Sequence, residues 1–296
     1  MRTKLSDIER QRVRIALVED TGKGDPTTVA TVPGEMLGRA IFLAKESGIV
    51  AGIDIARQTF EIFEEMTGVA SPIFEVRELI EDGMRVEPGM EIAVIRARMR
   101  TLLTAERVAL NLLQRMSGIA TLTRRFVDAI EGTGAIILDT RKTAPLLRPF
   151  DRYAVRVGGG VNHRYSLGEM VLVKDNHIAA CGGSIALAVE SLREYFAQPE
   201  VQLLPIEVEV TSLKQLGELM TVGDGFVNRV LLDNFPLELL REAVQINDGL
   251  FETEASGGVH LDTVRAIAET GVNYISVGAL THSAKGLDIS LEIEQE

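Results

Sequence analysis

The sequence predicts an α/β protein in which a small mixed unit precedes a parallel-stranded, barrel-like unit. Three observations predict it. After Gly134, short apolar runs alternate with helical segments, which is the grammar of a parallel sheet buried on both faces. The runs end in polar residues: Ile136 to Leu138 into Asp139, Val171 to Val173 into Lys174, Ile206 to Val210 through Glu209, Val230 to Leu232 into Asp233, Phe251 to Ser256, and Tyr274 to Gly278. The last three ends, at Asp233, Ser256 and Gly278, stand 23 and 22 residues apart, a spacing that favours a closed or nearly closed barrel over an open sheet. Six strands are clear and Val155–His163 leaves room for a seventh, short of a full eightfold barrel.

The elements follow in order. Ser6-x-x-Glu9 is a capping box that opens a helix running toward Glu19. Thr21 to Thr28, TGKGDPTT, reads as a loop on its Gly and Pro content. Gly38 to Asp54 holds two β-type runs broken near Glu46–Gly48, and Ile55, Phe60, Ile62, Phe63 and Met66 then recur at helical spacing until Gly68. Strand is expected again from Ile73 to Ile80 and from Met90 to Ile95. Thr101 to Ile130 is helical, interrupted near Ser117–Gly118, and carries a polar stripe of Thr104, Arg107, Asn111 and Arg115. SIALAVESLREYFAQ, PLELLREAVQ and LDTVRAIAET supply helices between the later strands.

Bulk composition excludes several function classes. A hydrophobic content of 46% supports a sizeable core, and a net charge of −12 argues against a nucleic-acid surface, which needs a broad basic field. The single cysteine, Cys181, rules out an internal disulfide framework and reads as a lone buried thiol. The N-terminal MRTKLSDIERQR has no apolar signal core and no apolar run reaches about 18 residues, so a soluble, cytoplasmic protein without a membrane partner is expected.

Against this acidic background Asp139 to His177 is a basic island. It holds seven Arg and Lys residues (Arg141, Lys142, Arg148, Arg152, Arg156, Arg164, Lys174) against four acids, plus His163 and His177. Such an island at strand ends suits a small, strongly anionic substrate. Barrel enzymes work at the C-terminal ends of their strands, which here bear Arg141, Lys142, Lys174, Glu209, Asp233, Ser256 and Gly278. Strand period places Glu207 and Glu209 on one face, and a buried Glu207 needs a cationic partner, with Lys142 or Lys174 expected. Ser256-Gly257-Gly258 and Val277-Gly278-Ala279 each follow a strand and offer free N–H groups as anion cradles. The four His show no metal-ligand spacing, so any metal is oxygen-bound, with Mg²⁺ held by carboxylates and substrate phosphates the natural candidate.

Together GDPTT, TAERVALNLLQRMSGIAT, DTRKT, YAVRVGGGVNHR, VLVKDNH, EVEV, LLDNF, EASGGV and ETGVNYISVGALTHS resemble the quinolinate phosphoribosyltransferases, over nearly the full chain. The family more often shows Thr and Gly where Ala144 and Leu146 stand, and Asp where Glu169 stands.

The resemblance implies an N-terminal α/β sandwich domain, taken as residues 1–113 joined by 286–296, and a seven-stranded barrel-like catalytic domain over 114–285. It also implies a homodimer whose sites are shared between subunits, with pairing into larger assemblies left open. The implied reaction joins quinolinate to phosphoribosyl pyrophosphate (PRPP) and releases pyrophosphate and CO₂, giving nicotinate mononucleotide for NAD synthesis. By the same resemblance Arg107, Arg141, His163, Arg164 and Lys174 bind quinolinate. Ser256, Gly257, Gly258, Gly278 and Ala279 cradle the 5′-phosphate, and Lys142 and Lys174 face the pyrophosphate. Glu209 and Asp233 bind ribose hydroxyls and hold Mg²⁺, directly or through the substrate. Lys142, Lys174, Glu209 and Asp233 form the catalytic set. Two rivals remain in view: a Schiff-base barrel lyase acting through Lys174, or a related phosphoribosyltransferase with another acceptor. A non-catalytic anion sensor would not need the strand-end acids.

Overall fold

The computed structural model describes residues 4–68 and 75–295. Its chain divides into two compact units, the first made of Met1–Arg124, Thr143–Gly159 and Leu280–Glu296, the second of Arg125–Lys142 and Gly160–Ala279. The chain returns to the first unit twice, at Thr143–Gly159 and at Leu280–Glu296.

In chain order the elements begin α1 (Asp7–Thr21), α2 (Pro26–Thr31), β1 (Leu37–Ala44), β2 (Gly48–Ile49), α3 (Ile53–Thr67), β3 (Glu75–Glu78), β4 (Arg85–Val86), β5 (Glu91–Arg98) and α4 (Met99–Ala129). They continue with β6 (Ile136–Leu138), α5 (Arg148–Val157), β7 (Val171–Val173), α6 (Asp175–Ala180), α7 (Ile185–Phe196), β8 (Ile206–Val210) and α8 (Leu213–Gly223). The last are β9 (Arg229–Asp233), α9 (Leu237–Asn247), β10 (Glu252–Ser256), α10 (Leu261–Ala268), β11 (Tyr274–Ser276), α11 (Ala279–His282) and β12 (Ile289–Gln295). No helix of the described residues is long and apolar enough to cross a membrane.

The first unit is built on an antiparallel sheet in the order β12-β1-β5-β3, so the C-terminal strand pairs with β1. Ser6 and Glu9 form the capping box at α1, and Gly68 in the left-handed region (φ 70°) stops α3. Ile73, where strand was expected to start, lies outside the described residues. The supposed loop at Thr21–Thr28 contains the start of a helix. Asp25 caps α2, its Oδ1 accepting the Thr28 N–H at 2.9 Å, and Pro26 occupies the first turn, where its missing N–H is no loss. Leu146 stands at φ 65°, in the region glycine favours.

The helix α4 runs unbroken through Ser117–Gly118, where the sequence suggests an interruption. Gly118 is there because another backbone segment passes against it: a Cβ at this position would lie 2.0 Å from the Lys285 carbonyl oxygen. In an exposed helix Gly→Ala gains about 1 kcal/mol. Here the clash involves backbone, which cannot swing away, so Gly118→Ala is expected to destabilise by about 2–4 kcal/mol. Urea unfolding reads the sign directly, and a midpoint equal to or above the parent's would refute the packing account.

The second unit is a parallel sheet in the order β6-β11-β10-β9-β8-β7, with helices between successive strands. The seventh strand expected near Val155–His163 reduces to one parallel bridge, Leu138 to Val161, because Arg148–Val157 is helix. The strands bury Ile137, Leu138, Val208, Val210, Val230, Leu232 and Ile275 almost completely, as continuous apolar runs require.

Candidate active site

At the C-terminal ends of the second unit's strands lies a hollow of about 560 Å³. It gathers Arg141, Lys142, His163, Arg164, Lys174, Glu209, Asp233, Ser256, Gly257 and Gly258 from six different strand ends and loops. Gly278 and Ala279 are not among its lining residues. Arg107 belongs to the first unit, exposed on α4 in a separate hollow of about 340 Å³ beside Asp25 and Thr104. Thr104 donates to Asp25 Oδ2 at 3.0 Å, tying the GDPTT turn to the polar stripe, while Arg115 leaves that stripe to clamp buried Asp151 with two 2.8 Å bonds.

The basic wall is held, not loose. Arg164 donates from Nη1 to the Met170 carbonyl at 2.8 Å, and burial, then the neighbouring Arg141 charge, push its pKa down. Two guanidiniums lining one hollow suit an anionic ligand. The Lys174 main-chain N–H donates to His177 Nδ1 at 2.9 Å, so that histidine fastens the start of α6. Facing these cations, Glu209 is raised by burial and by the Asp233 charge, with Lys174 opposing.

Beyond Asp233 the chain turns sharply. Asn234 adopts φ 56°, its N–H donates to the Ser256 carbonyl at 2.8 Å, and its side-chain amide donates to Asp233 Oδ2 at 2.7 Å. Gly257 (φ +92°) lies so close that a Cβ would sit 2.2 Å from Asn234 Oδ1. Two consecutive glycines at positive φ before α10 present backbone N–H groups as an anion nest.

Beneath the hollow lies a buried charge network. Glu207 and Glu254 are fully buried. His163 Nε2 stands 3.0 Å from Glu207 and 3.4 Å from Glu254, and Arg229 Nη1 donates to Glu254 at 3.0 Å. Arg229 also bonds Glu252 at 2.9 Å and lies 3.9 Å over the Tyr274 ring. Burial opposes charge on His163, but the two glutamates outweigh it and push the imidazole up to about 9. The hydrogen bonding argues the other way: the Arg164 main-chain N–H donates to His163 Nδ1 at 2.7 Å, which an imidazolium cannot accept. The direction of a backbone N–H is fixed by the chain, so this contact decides the tautomer. His163 is then the neutral Nε2–H tautomer, with Nε2 facing both acids. Burial and the Glu254 charge raise Glu207, neither of whose oxygens has an aligned donor among the described residues. Glu254 is lowered, because its contacts with His163 and Arg229 outweigh burial.

His163, Glu207 and Glu254 bring ligand-type atoms within 4.8 Å of one another, yet Arg229 already holds Glu254 at 3.0 Å and the imidazole Nε2 already faces both acids. Glu209 and Asp233, hard oxygen donors open to the hollow, fit Mg²⁺ better.

Family models agree with this architecture. Residues 25–117 match the quinolinate phosphoribosyl transferase N-terminal domain and 119–292 its C-terminal domain. The chain belongs to the quinolinate phosphoribosyltransferase family. It is 46% identical over 297 residues to the chloroplastic nicotinate-nucleotide pyrophosphorylase [carboxylating] of Arabidopsis thaliana, covering 96% of this chain and 82% of that one. It is also 46% identical over 291 residues to the Mycobacterium leprae enzyme of the same name, covering 97% and 98%. The crystal structure of NadC from Streptococcus pyogenes superposes with a TM-score of 0.89 at 36% identity, covering 99% of both chains.

Within this quinolinate phosphoribosyltransferase fold, two expectations need correction. Glu207 pairs with neither Lys142 nor Lys174; its neighbours are the His163 ring and, through register across β8 and β9, the cation Arg229. Cys181 is half-buried, not a core thiol, because it ends a short surface helix. Sequence reasoning also missed Asp139, Asn162, Asn234, Arg229 and Glu254. Asp139 is fully buried and accepts the His163 N–H at 2.7 Å and the Asn162 amide at 2.6 Å. A polar residue directly after an apolar strand was the available signal for Asp139. Arg229 begins β9 and Glu254 lies within β10, and neither gave one.

Proposed function

We infer that the protein transfers the phosphoribosyl group of PRPP to quinolinate with loss of CO₂, releasing pyrophosphate and forming nicotinate mononucleotide. The carrying observation is the single hollow that sets Arg141, Lys142, Arg164 and Lys174 against Glu209, Asp233 and the Gly257–Gly258 nest. Quinolinate is a planar dianion, and guanidinium forks suit its carboxylates. Arg141 and Arg164 therefore orient the acceptor, and Lys142 and Lys174 face the pyrophosphate. Backbone N–H groups at Gly257 and Gly258 hold the 5′-phosphate, and Glu209 and Asp233 take the ribose hydroxyls.

The acceptor nitrogen attacks the anomeric carbon as the bond to pyrophosphate breaks, and the positive character that develops on the sugar is stabilised by the nearby carboxylates. The ribosylated pyridinium then accepts the electron pair left when the 2-carboxylate departs as CO₂, and that carbon takes up a proton. Positioning of two anions supplies most of the acceleration. Mg²⁺, held by Glu209 and Asp233, would neutralise pyrophosphate charge. Arg107, absent from the hollow, suits contribution to the site of a second copy in a homodimer.

Lys174 is exposed among permanent cations, which disfavours the Schiff-base lyase, since such lysines are usually desolvated. An assay with purified protein, Mg²⁺, PRPP and quinolinate, following nicotinate mononucleotide and CO₂ together, is expected to give both in equal amounts. Pyrophosphate release only with a different acceptor would discard quinolinate. No PRPP consumption with any acceptor would discard the transferase reading.

A further inference from the structure

One fully buried acid of the first unit has no part in the chemistry assigned to the hollow. Asp151, on α5, is held by Arg115, on α4, through two bonds of 2.8 Å, Nε to Oδ1 and Nη2 to Oδ2. A carboxylate so buried is costly unless its partner stays, so the pair fixes whatever else it bonds. It bonds two main-chain groups. The Ala144 N–H donates to Asp151 Oδ2 at 3.4 Å, and Arg115 Nη2 donates to the Thr281 carbonyl at 3.1 Å. Ala144 stands two residues past Lys142, at the exit of the loop after β6 that carries Arg141 and Lys142. Thr281 stands two residues past Ala279, beyond β11, the strand that pairs with β6. The stretch from Thr143 to α5 is braced as well. Arg148 Nε donates to Thr143 Oγ1 at 3.2 Å, the Leu147 N–H donates to the Ala144 carbonyl at 3.1 Å, and Leu146 holds φ 65°. A residue other than glycine keeps that conformation only where its surroundings over-determine it.

We propose that Arg115 and Asp151 are positioning residues whose ion pair anchors the exit of the β6 loop and thereby aims Arg141 and Lys142. This rests on the reading of Arg141 as an acceptor-binding residue and of Lys142 as facing the pyrophosphate. The physical reason is rigidity. Long cationic side chains on an untethered loop would wander, whereas a loop whose exit is tied to a buried, bidentate pair presents them in one place. Neither Arg115 nor Asp151 touches a substrate in this account; both act through the main chain at Ala144.

Two measurements decide it. Hydrogen exchange of the unliganded protein, read by mass spectrometry, needs no substrate and so stands or falls apart from the assigned function. Arg115→Met is expected to speed exchange at Ala144 and Leu147 by about tenfold or more while β1, β5 and β12 exchange as in the parent. Acceleration spread evenly over those strands would mark a general structural role, and no acceleration would remove the anchor; either result overturns the proposal. In steady-state kinetics Arg115→Met is expected to raise the KM for quinolinate and the KM for PRPP, each by about fivefold or more, because the loop carries a residue for each substrate. Arg115→Lys keeps the charge but not the two-pronged bond, so an intermediate rise is expected. A fall in kcat with both KM values unchanged is what a smaller folded fraction gives, and it would overturn the positioning role. Should Arg115→Met fail to fold, Asp151→Asn in the same two measurements decides it. A parent protein that consumes no PRPP would discard the functional reading and leave the exchange result to judge the anchor.

Discussion

Arg164→Ala is expected to raise the KM for quinolinate by about two to three orders of magnitude while leaving PRPP affinity nearly intact. Truncating one partner of a desolvated, hydrogen-bonded charge pair costs about 2–5 kcal/mol, and most of the loss is the penalty of leaving the other charge unpaired. Arg164 is such a partner: half-buried, anchored to the Met170 carbonyl, and pressed toward Arg141. Its removal also relieves the repulsion on Arg141, which offsets a little of the loss. Arg164→Lys keeps the charge but not the fork, so an intermediate effect is expected. Initial-rate kinetics with each substrate varied in turn separates the two KM values. A parallel rise in both would show that Arg164 supports the hollow generally and would remove it from the acceptor site.

Gly257→Ala is expected to act on the other substrate, lowering kcat/KM for PRPP by about a hundredfold or more. Two effects combine. Alanine at φ +92° costs about 1–3 kcal/mol in backbone strain, and its Cβ would lie 2.2 Å from Asn234 Oδ1. Asn234 must move, and it is the residue that bonds Asp233 and ties the turn to Ser256. Gly258→Ala is the control. It too has positive φ, at +59°, but its Cβ would meet nothing within 4 Å, so only the backbone strain applies and a smaller loss is expected. Calorimetric titration with PRPP distinguishes them. Equal losses in the two variants would mean that contact with Asn234 has no part in shaping the phosphate nest.

Much of the candidate site was legible in the chain because its parts sit at punctuation points. Lys174 follows directly on an apolar strand, Asp233 closes one, and Arg141 and Lys142 stand in the loop just past another, and a parallel fold brings all such ends to one mouth. Ser256-Gly257-Gly258 was readable for the same reason. Local rules also located the α1 capping box and the stop at Gly68. They misjudged α2, where Asp25 and Pro26 are a helix start that resembles a loop, and Gly118, where a helix-breaking residue was kept for the sake of a distant backbone.

What the sequence by itself determined is therefore the order of strands and helices, the basic island, the residues at the strand ends and the family. Those depend on periodicity and on neighbours along the chain. Only the tertiary structure decided which charge meets which. Glu207 could have paired with any of several cations; strand register set it across from Arg229 and under His163, and the β9–β10 pairing brought Arg229 to Glu254, 25 residues away. A one-residue slip would turn these side chains to the opposite face of the sheet. Burial then makes the outcome matter, because inside the sheet an acid without its partner is costly, while at the surface water would have served equally well.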